Sequence, residues 1–190
     1  MEAELRVIPG TLLAAWPDLA DPNFRHAVIL MCHHNADGAY GLVVNRATAV
    51  TTRQLLPTHP ELGQVPFPVH VGGPVDKRAL QFLHTVPDAI PGGLSLDGKL
   101  WLGGELDALG RFVAADPDAA KESVRLFVGY SGWAEGQLER ELEQRSWIPA
   151  PLSLKAVFGP TGEEAWLSAV RSIGEEGLDL LGNRPDPHLN

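Results

Sequence analysis

Glycine and proline punctuate this chain too often for long regular elements. There are 20 glycines and 16 prolines in 190 residues. Glycine relaxes the backbone and proline removes a donor, so this density predicts many turns and short elements rather than a helical bundle. Between the breaks the pattern is strand-like. Ala27 to His33 is a continuous apolar, β-branched run of the kind a strand covered on both faces requires. Asn35-Ala36-Asp37-Gly38 has turn chemistry, and Tyr40 to Asn45 reads as the returning strand, so 27–45 is predicted to be a hairpin.

The other segments follow the same grammar. Val7 to Ala14 starts the fold, and Pro17 with Asp21-Pro22 ends that start in a loop. Thr51 can cap a short helix that stops before Pro57. Four prolines make 57–68 a loop with scope for motion. Val69-His70-Val71 is a short strand halted by Gly72-Gly73-Pro74, and Leu80 to Val86 alternates like a half-buried strand. Leu94–Leu96 and Leu100–Leu102 flank Asp97-Gly98, a tight-hairpin signal. Glu105–Ala114 reads as a helix, Val124–Gly129 as a strand and Glu135–Arg145 as an exposed helix. A last helix is predicted from the capping box Thr161-x-x-Glu164 to Gly174. With no repeat and no linker, this is one compact α+β domain over 1–181. Its sheet is mainly antiparallel or mixed, with three to four flanking helices, and 182–190 is a frayed tail.

Charge narrows the function. There are 24 acidic residues against 15 Lys and Arg, a net charge of −9, and the longest cationic run is Lys77-Arg78. Phosphate-binding surfaces show a basic stripe, and this chain has none, which argues against direct nucleic-acid or anionic-membrane binding. A single cysteine, Cys32, sits inside the apolar run and forms no internal disulfide. No signal-peptide pattern opens the chain, and no apolar run approaches the roughly 18 residues a membrane helix needs. The expected location is the cytoplasm.

The most suggestive segment for chemistry is Gly129-Tyr130-Ser131-Gly132-Trp133, read as a strand–helix junction continuing to Glu139. A nucleophile elbow places its serine there, but it needs glycine two residues after the serine, where this chain has Trp133. The same glycines suit a ligand-binding loop, or simply a tight junction with Tyr130 and Trp133 packed inward. Gly72-Gly73-Pro74 lacks dinucleotide-fold spacing and suits a close approach of another backbone. The seven histidines show no H-x-x-x-H spacing, and there is no C-x-x-C, so no metal or cofactor is expected. Asn45-Arg46 closes a strand and suits either a bidentate contact with an anion or the fixing of a loop. Glu139, Glu141 and Glu143 read as a solvated helix face.

Taken together, four ordered segments resemble the AlgH/YqgE family of bacterial proteins. The opening Gly10-Thr11-Leu12-Leu13-Ala14 with Asp21-Pro22 is similar to the family's start. Val28-Ile29-Leu30, His34-Asn35 and Gly41-Leu42-Val43-Val44-Asn45-Arg46 resemble its first signature. Gly72-Gly73-Pro74-Val75 with Leu83-His84 resembles the second. Gly129-Tyr130-Ser131-Gly132-Trp133, Gly136-Gln137-Leu138-Glu139, Glu141 and Trp147 resemble the third. Ala47 departs from the family's usual proline. The resemblance implies a compact cytosolic α+β protein of a family labelled as transcriptional regulators, without an assigned reaction or cofactor. The positions it singles out are His34, Asn35, Asn45, Arg46, His84, Tyr130, Trp133, Gln137 and Glu139.

Three functions are then in play. The leading one is a non-enzymatic binding or regulatory protein. It would recognise a protein or small ligand through a cleft between the Asn45-Arg46 region and the Gly129–Glu139 junction. The second is a hydrolase of unfamiliar type using His34 or His84 with Ser131 or Glu139. The third is direct nucleic-acid binding.

Overall fold

The computed structural model describes residues 6–182. The frayed tail expected from 182 onwards lies, but for Gly182, outside these residues. The chain adopts the α+β architecture expected, built on a large, mainly antiparallel sheet that does not close into a barrel. β1 (Leu12–Ala15), β2 (Val28–Asn35) and β3 (Gly38–Val43) form a meander. β2 and β3 are the predicted hairpin. β4 (Ala47–Thr51) leads through Thr51, the predicted cap, into α1 (Thr52–Leu55). β5 (Pro68–Val71) and β6 (Val75–His84) follow, then the small hairpin β7 (Leu94–Ser95) and β8 (Trp101–Leu102). The rest is α2 (Leu106–Ala115), α3 (Pro117–Ala120), β9 (Val124–Ala134), α4 (Gln137–Glu143), β10 (Trp147–Ala150), α5 (Leu154–Phe158), α6 (Glu163–Arg171) and α7 (Glu175–Gly182).

β9 organises the molecule. Its first half pairs in parallel with β5 (Leu126 with Val69) and antiparallel with β6 (Leu126 with Phe82). Its second half pairs antiparallel with β3 (Ser131 with Gly41, Ala134 with Gly38). The change of partner falls at Gly129, whose φ of +73° breaks the pleat. Gly72 crosses here, donating from its N–H to Val128 at 2.9 Å and accepting from Val43 N–H at 2.8 Å. A Cβ on Gly72 would lie 2.4 Å from the Gly129 carbonyl oxygen, and one on Gly73 would lie 2.2 Å from the Tyr130 carbonyl. The Gly72-Gly73 pair therefore allows the close backbone approach that its place at a strand end suggested.

Two cores lie on this frame. The larger gathers β1, β2, β3 and the fully buried Trp166 of α6, whose indole N–H donates to Ala15 O at 2.7 Å. The smaller gathers Leu62, Phe67, Phe82, Leu109, Val113 and Leu126. The proline-rich stretch 57–68 is pinned into it by Leu62 and Phe67, so it is an anchored loop.

Three local expectations change. β9 runs on to Ala134 and α4 starts at Gln137, so 129–134 is strand rather than the mouth of a helix. The cause is the pairing with β3, which holds this segment extended. α6 is capped by Gly162, not by a Thr161–Glu164 box. Gly162 takes φ +70° and exchanges hydrogen bonds with Asn45, which holds Thr161 outside the helix. α6 ends at Arg171, short of Gly174, and a further helix, α7, follows it.

Replacing Gly73 with alanine drives a methyl group into the Tyr130 backbone. The expected cost is about 3 kcal/mol or more in urea unfolding, whereas a loss below about 0.5 kcal/mol would mean the crossing is not tight.

Candidate functional site

The third signature builds a clamp rather than an elbow. Trp133 on β9 and Trp147 on β10 meet edge to face, with ring centroids 6.1 Å apart. Both indole N–H groups donate to the same carboxylate oxygen of Glu141, at 2.8 and 2.7 Å. Gln137 donates to the other oxygen at 2.9 Å and accepts from Ala134 N–H at 3.0 Å. One helical turn of α4 is thereby bolted onto two strands. Indole nitrogens can only donate, so burying two of them demands an acceptor. Glu141 is that acceptor, and not the solvated face that its charge suggests. The signal was present: Glu141 stands one turn after Gln137, in the signature that also holds both tryptophans.

The clamp fixes where Glu139 points. Its carboxylate meets His34 Nε2 at 2.7 Å, and His34 Nδ1 meets the Val7 carbonyl at 2.8 Å. Both partners are acceptors, so the ring donates from both nitrogens and is an imidazolium. The Val7 carbonyl raises the pKa of His34, partial burial opposes the rise, and Glu139 adds to it. The hydrogen bond from His34 in turn holds the Glu139 carboxyl below its usual range. This bridge ties the N-terminal segment, β2 and α4 together at one end of a groove.

The groove has a volume of about 1240 Å³. His34, Asn35 and Glu139 line one end. Leu142, Trp147, Ile148, Pro149, Ile173 and Glu176 also line it. Of the positions singled out in the sequence, the structure brings His34, Asn35 and Glu139 together at the groove, while Trp133 and Gln137 belong to the clamp. Asn35 also accepts from Asp37 N–H at 2.9 Å, which shapes the β2–β3 turn.

The others lie elsewhere. Asn45 is buried and satisfied: its amide accepts from Val28 N–H at 2.8 Å and donates to the His26 and Gly162 carbonyls, both at 2.9 Å. Arg46 donates to the Arg25 carbonyl, the loop-fixing alternative of the two read for it. Tyr130 packs against Tyr40, ring centroids 5.1 Å apart. His84 is fully buried, donating from Nε2 to Gly103 O at 3.0 Å and accepting from Val86 N–H at Nδ1. A ring that donates from one nitrogen and accepts at the other is neutral, and burial lowers its pKa in the same sense. Ser131 is also buried, and its hydroxyl donates to Gly72 O at 3.1 Å. His84 pairs with Val124, seven residues back along β9 from Ser131, or about 20 Å at strand spacing. Neither histidine hydrogen-bonds to Ser131. Among the described residues no group of three or more His, Cys, Asp or Glu is placed to hold a metal. Burial pushes the Cys32 thiol up to about 12, the behaviour of a packed hydrophobe.

Two measurements check this geometry. Glu141→Ala strands two buried indole donors, so it is expected to cost about 2–4 kcal/mol and red-shift tryptophan emission, with Glu141→Gln recovering part of the loss. The His34–Glu139 bridge also sets a pH window. His34 is raised in the folded state, so its contribution is fully present below the unfolded histidine value and is lost as pH rises through the folded one. Glu139 is lowered, so its contribution is lost as pH falls through the folded carboxylate value. The stability difference between the parent and His34→Ala should therefore be largest between the two and shrink on either side. A difference that grows towards alkaline pH would contradict the bridge.

With the geometry in view, the known relatives are informative. The chain is 38% identical over 182 residues to the UPF0301 protein CT0663 of Chlorobaculum tepidum, covering 96% of this chain and 95% of that one. It is 39% identical over 191 residues to the UPF0301 protein A2cp1_4106 of Anaeromyxobacter dehalogenans, covering 95% and 94%. Its fold superposes on the solution structure of the AlgH protein from Pseudomonas aeruginosa with a TM-score of 0.71 at 27% identity, covering 98% of both chains. The crystal structure of DIP2367 from Corynebacterium diphtheriae gives 0.70 at 24% identity, covering 98% and 92%, a likeness of fold. The sequence profile of the DUF179, AlgH-like family matches residues 12–177, and the chain belongs to that family.

Proposed function

We propose that this is a non-enzymatic binding protein, acting as a regulator through a partner, whose recognition site is the groove bounded by His34, Glu139, Trp147 and Ile173. The observation that carries this reading is the pairing of His34. Both its ring nitrogens are engaged, by the Val7 carbonyl and by Glu139, which leaves neither free to act as a general base on a bound substrate. Of the pairings the hydrolase alternative names, those with Ser131 are not made, its hydroxyl donating to the Gly72 carbonyl, while His34 and Glu139 do meet, with the second ring nitrogen of His34 held by the Val7 carbonyl. The groove suits recognition: its lining mixes apolar side chains, among them Leu142, Trp147, Ile148 and Ile173, with polar and charged ones. The net charge of −9 favours indirect regulation over direct contact with nucleic acid. On this reading the protein works in the cytoplasm. Among the described residues, no helix is long and apolar enough to cross a membrane.

Ile173→Trp adds bulk inside the groove at a residue that makes none of the clamp's hydrogen bonds. A thermal-shift screen of metabolites and peptides should give binders that stabilise the parent and lose at least about tenfold in affinity on the variant. Binders that stabilise both equally would place recognition elsewhere. Turnover of an ester or phosphoester by the parent, abolished in His34→Ala, would favour the hydrolase.

A further inference from the structure

Among the described residues β10 ends the sheet, pairing with β1 on one side only. The groove follows that free edge. Trp147, Ile148 and Pro149 are consecutive and all line it. Successive residues of a strand point to opposite faces, so a groove that meets all three runs along the edge rather than over one face. The polarity of the edge is also fixed. Trp16 N–H donates to Ser146 O at 2.9 Å, and Ala15 N–H donates the other way, to Ala27 O of the segment before β2. The even-numbered residues of β1 therefore bond β10, and through the register Ala14 with Ile148 they bond residues 146, 148 and 150. Trp147 and Pro149 turn their backbone outwards. Pro149 has no N–H, so the backbone groups that face away from β1 are the N–H of Trp147, a buried residue, and the carbonyls of Trp147 and the half-buried Pro149.

Resting on the binding role proposed above, we infer that the occupant is an extended segment of a partner protein, added as a further strand to β10 and carrying basic side chains. An acceptor-rich edge is matched by the N–H groups of an extended peptide. The lining supplies the charge: Glu143 and Glu176 are exposed and line the groove with Glu139, which His34 already engages, and Arg6 is the opposing cation. The apolar part of the lining accepts the alternate side chains of the segment. A second copy of this chain fits badly, because each edge would bring a proline lacking its donor and a lining of like charge.

The test pans a phage-displayed library of random linear 12-mers on the whole protein at low salt. Basic residues alternating with apolar ones should be enriched in the peptides recovered. Charge reversal at both Glu143→Lys and Glu176→Lys should weaken them at least about tenfold, less so at high salt. N-methylating the backbone of the best peptide one position at a time should abolish binding at alternate positions only, because every second N–H faces β10. Loss with no period of two, or peptides unaffected by the charge reversal, overturns strand addition. So does the recovery of no peptide; small molecules that bind the parent and not Ile173→Trp would then leave the groove as the binding site while removing the peptide.

Discussion

The backbone crossing of Gly72 and Gly73 against Gly129 and Tyr130 is the constraint on which the remaining architecture depends. Without side chains at these points, β5 runs beside the first half of β9 and β3 beside the second. One strand then serves two pairing partners on the same side and feeds both cores. Phe127 enters the larger core and Leu126 the smaller, as alternation along a strand requires. The crossing also consumes the most motif-like residue in the chain, since the Ser131 hydroxyl completes the bonding of the Gly72 carbonyl.

From the crossing, β9 carries Trp133 to the point where α4 docks. The double-indole contact with Glu141 then sets the angle of α4, and so the position of Glu139 beside His34. The result is a charged bridge at the end of an apolar groove. A histidine between a carbonyl and a carboxylate is a linker. Its proton holds three segments together and is not in transit.

Much of this fold is legible in the sequence because its signals are local. The Asn35–Gly38 turn declares the β2–β3 hairpin, Thr51 declares α1 and Asp97-Gly98 declares the turn between β7 and β8. What escapes is non-local. Nothing near Ser131 says that β3 will hold 129–134 extended, so the segment reads as a strand–helix junction. β10 hides because Pro149 interrupts its pattern, although proline is tolerated where the missing N–H points off the sheet. The site was half visible. His34, Asn35 and Glu139 were named but could not be joined, being 105 residues apart at the extremes. Arg46 and Asn45 shared the same polar character and proved to be pins for loops. Glu141 was misjudged because charge alone suggests solvent, while two neighbouring tryptophans needing an acceptor suggest the reverse.

If the groove beside β10 is where this protein meets its partner, photo-crosslinking in bacterial cells will show it, with a benzophenone side chain placed at Pro151 in the groove or at the exposed Leu94 on β7. A discrete crosslinked protein band is expected from the Pro151 position and none from Leu94. Crosslinking from Leu94 alone, or equally from both, would contradict it.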